Sequence, residues 1–265
     1  MAMLRRLLAA TTRSRLLPAA GAGAAVAFAA TAASAEGKWT FDQSAAPAAP
    51  PRGLRNQPTL KLVYFDGPGK AEGTRLAAAY CGLALEDFRF KDRAEFMAMK
   101  ASGELTYGQV PALFVDGQQV TQSSCILRTV GRLGGLYPDG IVQAALVDGI
   151  VDQEIDMTMG ISCSNYQARF GFEDVLGGPK GEGTQAVRKA INDEILPRHL
   201  GFFNRLLADG GTGWLAGTKE PTIADFCLVP RLQWLKVRDA YPATQRSSSA
   251  LHHDAARIPD CVATA

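Results

Sequence analysis

Val110-Pro111-Ala112-Leu113-Phe114-Val115-Asp116-Gly117-Gln118-Gln119-Val120-Thr121-Gln122-Ser123-Ser124 decides the fold, because strand, turn, strand and helix start follow in direct succession. The apolar run Val110–Val115 predicts a strand, and Asp116-Gly117 is the strongest short hairpin signal in the chain. Gln119-Val120-Thr121 predicts the returning strand. Ser123 or Ser124 is then expected to cap a helix, since a hydroxyl there accepts from a free backbone N–H. Ile126, Leu127, Val130 and Leu133 follow at helical spacing.

Toward the N-terminus, Leu60–Phe65 is a β-type run closed by the turn signal Asp66-Gly67-Pro68-Gly69. Ala71–Tyr80 is helical, and Gly82 is placed to end it. Leu85–Phe90 predicts a second strand and Arg93–Ala101 a short helix. The order β-α-β, then β-β-α, is a thioredoxin-like α/β arrangement, assigned to residues 58–138. Toward the C-terminus the pattern becomes all-helical, over 139–245. Ile141–Ile155 shows helix spacing. Thr184–Leu207 is a longer amphipathic segment that Pro197 should bend or interrupt and Gly210-Gly211 should end. Thr222-Ile-Ala-Asp225 carries the capping-box pattern of another helix start. Residues 246–265 form an irregular polar tail whose His252-His253 pair is assigned no metal role.

Before the folded part, residues 1–57 combine a targeting presequence with a Pro/Ala-rich linker. No acid precedes Glu36, whereas Arg5, Arg6, Arg13 and Arg15 are all basic, as in an organellar presequence. Leu16–Ala35 is apolar and ends in Ala33-Ser34-Ala35, which resembles a small-residue cleavage site. The order of expectation is mitochondrion, then plastid, then a secretory route. The stretch is Ala/Gly-rich and contains Pro18, so no stable membrane span is expected in the mature chain. A net charge of +2, from 28 basic and 26 acidic residues, gives no footprint for nucleic acid. The five cysteines include no C-x-x-C pair, which argues against a dithiol redox motif and a zinc site; most read as small core residues in a reducing compartment.

With these motifs in place, the chain from about residue 60 to 235 resembles the cytosolic-type glutathione transferases whose catalytic residue is tyrosine, closest to the pi, alpha and sigma groups. Lys61-Leu-Val-Tyr-Phe, Lys70-Ala-Glu, Tyr107-Gly-Gln-Val-Pro-Ala-Leu, Val115-Asp-Gly, Thr121-Gln-Ser, Gly135-Leu-Tyr-Pro, Ala145-Leu-Val-Asp and Thr222-Ile-Ala-Asp-Phe carry the resemblance. Each is weak alone, and their shared order and spacing make the set specific. After Lys236 the sequence departs from the family's final helices. The resemblance implies a thioredoxin-like domain followed by an all-α domain, a homodimer, and a thiolate of reduced glutathione conjugated to hydrophobic electrophiles. Glutathione would be a co-substrate, so no cofactor or metal is implied.

Residue by residue, the resemblance makes Tyr64 the catalytic group, where strand propensity alone would make it a strand aromatic. Val110-Pro111 matches the family's cis-proline corner, which pairs with the cysteinyl residue of glutathione; base rates alone favour a trans bond. Gln109 lies beside that corner. Gln122 and Ser123 match the pair gripping the γ-glutamyl end, at a helix N-terminus suited to a carboxylate. Lys70 stands where relatives often carry arginine, Lys100 matches a lysine for the glycyl carboxylate, and Phe96 is nearest to the family's tryptophan. Asp156 corresponds to an acid reaching the ligand's amino group across a dimer interface, and Tyr166 to a tyrosine of the electrophile pocket. Lone lysines and aspartates are otherwise solvent-facing by default. Two rival functions share the scaffold: a glutathione-dependent isomerase or peroxidase, and a non-catalytic ligand carrier.

Overall fold

The structure is a computed structural model in which residues 57–236 are described. The expected presequence, linker and polar tail therefore fall on residues outside those described. Four strands, β1 (Leu60–Phe65), β2 (Glu86–Phe90), β3 (Ala112–Val115) and β4 (Gln118–Thr121), form one sheet in the order β2-β1-β3-β4. β1 runs parallel to β2 and antiparallel to β3, and β3 pairs antiparallel with β4. The parallel pair needs a crossover, which helix α1 (Glu72–Tyr80) supplies; the antiparallel pair needs only the Asp116-Gly117 hairpin. Helix α2 (Arg93–Ala101) follows β2, and α3 (Ser123–Gly134) follows β4.

Strand alternation sorts β1 between two environments. Leu60 and Leu62 join the main core with Ala77 and Ala78 of α1 and Ile126, Leu127 and Val130 of α3. Phe65 faces the other way, its ring 5.1 Å from Phe96 and 5.6 Å from Phe90. β3 begins at Ala112 rather than at the expected Val110, the paired register starting at Ala112 opposite Thr121; the Val110–Pro111 peptide before it is cis.

The helical half is built on α4 (Ile141–Asn165), ten residues longer than the periodicity to Ile155 predicts. Two short helices, α5 (Gln167–Phe170) and α6 (Glu173–Leu176), lead to α7 (Glu182–Ala190). One wide π turn, Ile191–Ile195, joins α7 to α8 (Leu196–Gly210), so the long segment is interrupted just before Pro197. Proline is tolerated there, in a first turn that has no use for its missing N–H. Gly211 ends α8 in the left-handed conformation, as expected. Finally α9 (Ile223–Lys236) packs against α1 and α4, and one continuous buried cluster runs from Leu60 to Leu235. No helix among the described residues is long and apolar enough to cross a membrane.

α9 keeps Pro230 in its interior. Proline has no N–H to return to the carbonyl four residues earlier, which here is that of Phe226. That carbonyl lies against Gly73 of α1, where a Cβ would stand only 2.4 Å from the oxygen. A glycine in α1 thus lets the two helices meet and brings the second half of α9 beside the end of β1.

Candidate functional site

Tyr64 lies near the end of β1 on the face of Leu60 and Leu62, and it packs against the main core. Past it the chain turns through Gly67-Pro68-Gly69, and the phenol oxygen accepts a hydrogen bond from the Lys70 backbone N–H at 3.1 Å. The turn passes so close that a Cβ on Gly69 (φ +44°) would stand 2.4 Å from that oxygen. Arg75 of α1 holds the turn in place, its Nη1 donating to the Gly67 carbonyl at 2.7 Å and its Nε to both Asp87 oxygens at 3.1 Å. Burial raises the Tyr64 pKa above the ordinary phenol value, and the Lys70 N–H opposes this. The side chain is therefore a neutral phenol near neutral pH, with its acceptor side engaged and its proton available to donate.

In front of Tyr64 is a cleft of about 550 Å³ between the sheet half and the helices α4 and α9. Of the residues singled out in the sequence, Tyr64, Lys70, Phe96, Gln109, Val110, Ser123 and Tyr166 line it. A smaller adjoining pocket of about 40 Å³ adds Pro111 and Gln122 to Gln109, Val110 and Ser123. Gln119 braces the approach to this corner. Its side chain accepts from the Thr106 N–H at 2.8 Å and hydroxyl at 2.6 Å, and donates to the Glu104 carbonyl at 2.7 Å.

The start of α3 departs from expectation. Neither Ser123 nor Ser124 caps the helix: Gln122 occupies the cap position at φ +70°, ψ +121°, and no side chain caps the first turn. That turn also holds no acid, while both serines line the cleft. Uncapped N–H groups, the positive end of a helix dipole and two hydroxyls therefore converge on one spot, an arrangement that suits a carboxylate.

Two predicted residues stand apart. Lys100 is exposed and lies along Gly108 beside the cleft without lining it. Asp156 is exposed on α4 and does not line the cleft of its own chain. Asp152, one turn earlier, is bound by Arg128 at 2.6 Å, and the same guanidinium holds Asp148.

The structure also brings in residues that the sequence reading passed over. Arg93, Arg169, Arg231 and Glu154 line the cleft, so with Lys70 it carries four cations and one acid among the described residues. Arg169 donates to the Gln109 side chain at 2.7 Å, tying the helical half to the cis-proline loop. Glu154 of α4 and Arg231 of α9 form a buried ion pair at 2.6 Å. Cys227 lies 3.8 Å from Glu154, and burial followed by that carboxylate's charge raises its thiol pKa well above the usual value. Glu154 falls on the buried stripe Val147, Ile150, Val151, Met157, Thr158 and Ile161, a signal that shows only once this helix is known to run on past Ile155. The cysteines are less uniform than expected. All four described are free, yet only Cys81 is fully buried, its pKa pushed up to about 12 by burial, and Cys125 is exposed. No cluster of three metal-ligating side chains occurs among the described residues.

Residues 60–132 match the glutathione S-transferase N-terminal domain family, and residues 185–251 the C-terminal domain family. The second match carries the likeness past Lys236, where the motif comparison stops. Glutathione S-transferase 1 of Ascaris suum is 34% identical over 175 residues, covering 66% of this chain and 79% of that protein. Hematopoietic prostaglandin D synthase of Gallus gallus is 39% identical over 173 residues, covering 64% and 75%. Among solved structures, the glutathione S-transferase from Ascaris lumbricoides superposes with a TM-score of 0.61 at 28% identity, covering 78% of this chain and 95% of that one. With both domain families in order along one chain and a relative matched over more than three quarters of its length, this protein belongs to the glutathione S-transferase family.

Proposed function

We propose that the cleft binds reduced glutathione and that Tyr64 donates a hydrogen bond to its sulfur, so that the thiolate attacks electrophilic small molecules. The supporting observation is the phenol itself: the Lys70 N–H occupies its oxygen, and burial keeps it protonated. A free thiol has a pKa of about 8.5, so little thiolate exists at neutral pH. Lowering that value by about two units takes roughly 2.7 kcal/mol of preference for the anion, which a charge-assisted bond in a sheltered cleft supplies. In the conjugation the thiol S–H bond breaks and its proton passes to solvent, a carbon–sulfur bond forms, the leaving group departs with its electron pair, and Tyr64 keeps its proton.

Around the sulfur, the Val110 main chain beside cis-Pro111 pairs with the cysteinyl residue, and Gln109 closes that side. The first turn of α3, with Gln122 and Ser123, holds the γ-glutamyl carboxylate. Lys100 and Phe96 serve the glycyl end, Lys70 is a further anion partner beside Tyr64, and Tyr166 borders the electrophile. Asp156, outside its own cleft, serves the ligand amine of a second copy in a homodimer. The nucleophile arrives with glutathione, so this chemistry calls for no resident metal or prosthetic group. The acid-free, Arg-containing N-terminus supports delivery to the mitochondrion, with plastid or secretory routes as alternatives, and a role in detoxifying electrophiles there.

With glutathione and a chloronitrobenzene, the chain should release chloride, and Tyr64→Phe should lower kcat on the order of a hundredfold with little change in glutathione affinity. Absence of turnover by the unsubstituted chain contradicts the reading. The isomerase alternative draws support from the prostaglandin D synthase relative; there, glutathione would emerge unconsumed.

A further inference from the structure

Beside Tyr64 the cleft continues into a lobe of about 270 Å³ between the Gly67–Lys70 turn, α4 and α9. Phe65, Ile161, Tyr166 and Trp234 give it apolar walls, and among the described residues its charged lining is Lys70 and Arg231, with no carboxylate.

Arg231 is held as an anion receptor is held. Its side chain is only 13% exposed, and Glu154, at 7%, engages it through Nε at 2.6 Å. The guanidinium lies over the Trp234 ring, 5.5 Å from its centre. No hydrogen bond among the described residues uses its Nη1 or Nη2. A guanidinium fixed by Nε and by a ring face presents its remaining donors in the fork that matches a carboxylate. The Lys70 ammonium, which lines the same lobe, likewise makes no ion pair or hydrogen bond among the described residues. Desolvation, and then repulsion from Arg231, push the Lys70 pKa below its ordinary value. An anion placed between the two cations relieves that repulsion. Stability alone is a poor reason for this arrangement, since a buried ion pair is often no better than an apolar pair of the same volume.

We propose that this lobe selects electrophiles with an apolar body and a carboxylate, the carboxylate being held between Arg231 and Lys70 while the reactive carbon faces the sulfur at Tyr64. The inference rests on the glutathione-conjugating function proposed above. It narrows the electrophile class from hydrophobic molecules in general to amphipathic organic acids.

A chlorodinitrobenzoate and its methyl ester test it with the full chain and glutathione. In both, sulfur bonds to the ring carbon bearing chlorine and chloride leaves, and only the acid carries the anion. The quantity read is the kcat/KM ratio of acid to ester, in which the intrinsic reactivity difference cancels between proteins. In the double variant Glu154→Leu/Arg231→Leu, which strands no buried charge, the ratio should fall about tenfold or more, and likewise in Lys70→Met. Should the double variant not fold, Arg231→Lys, which keeps the charge and loses the fork, takes its place with the same expectation. A ratio unchanged in these variants overturns the proposal. So does an equal loss on acid and ester accompanied by a raised bound-thiol pKa, which would assign the cations to the thiolate. A chain that binds no glutathione, or conjugates neither compound, instead overturns the function on which the proposal rests.

Discussion

Gln122 stands at φ +70° and ψ +121°, a conformation that only glycine adopts without strain. Strain of this kind persists where the surrounding structure enforces it and where a site needs the geometry. Here the residue after β4 turns sharply, so that the first N–H groups of α3 face the cleft. Gln122→Gly should therefore stabilise the fold by about 1 kcal/mol, since relief of strain exceeds the entropy glycine costs. The urea midpoint reads that gain. The same variant should weaken glutathione binding about tenfold, because the amide side chain in the γ-glutamyl site is lost; unchanged affinity would remove Gln122 from the site. At this scale the sequence is uneven in what it discloses. Tyr64, Val110-Pro111 and Gln122-Ser123 were reached through the family resemblance, since strand propensity alone reads Tyr64 as a strand aromatic and base rates alone favour a trans proline; the structure gathers them at one cleft. Glu154 and Arg231 were not reached, because a charged residue reads by default as solvated, and nothing local says that two helices far apart in sequence will bury the pair together.

The elements themselves follow from local chemistry wherever a boundary is punctuated. Glycine, proline and capping residues bracket β1, α1, α2 and β3-β4, and these fall within one or two residues of expectation. α4 outruns its predicted end because Thr158, Gly160, Ser162 and Ser164 dilute the apolar period, although Met157 and Ile161 still carry it. Pro230 sits inside α9, and the Phe226 carbonyl that it cannot pair lies against Gly73 of α1. The Thr222–Asp225 box shows how much one element start can carry. The Asp225 carboxylate accepts from the Thr222 N–H at 2.7 Å and, outside the helix, from the buried Leu215 N–H at 2.8 Å. The threonine hydroxyl accepts from Ala224, not from Asp225 as the box pattern suggests. Asp225→Ala removes a cap and orphans two buried donors, so it should cost about 3 kcal/mol in denaturant unfolding. A loss below about 1 kcal/mol would show that the box does not anchor α9.

Across the whole molecule, two structural styles share one core, and the cleft lies where they meet. The sheet half supplies Tyr64 and the uncapped start of α3; the helical half supplies Tyr166, Arg169, Glu154 and Arg231. A chain of nearly balanced charge thus concentrates cations at this cleft, which favours an anionic tripeptide and its thiolate. Asp156 belongs to the same scale, because its proposed ligand contact needs a second copy. Sedimentation should show a dimer, and Asp156→Ala should raise the KM for glutathione about tenfold while kcat changes little; a monomer with unaltered KM would leave Asp156 a solvated surface residue. Whether the half-buried neutral phenol of Tyr64 turns a bound thiol into a thiolate is read by ultraviolet titration of the glutathione complex, with Tyr64→Phe beside the unsubstituted chain. The thiolate band should appear at a pH well below the free thiol's pKa of about 8.5, and the shift should largely vanish in the variant. An unshifted thiol in both proteins, with glutathione bound, would remove Tyr64 as the activating group and leave a carrier in place of a transferase.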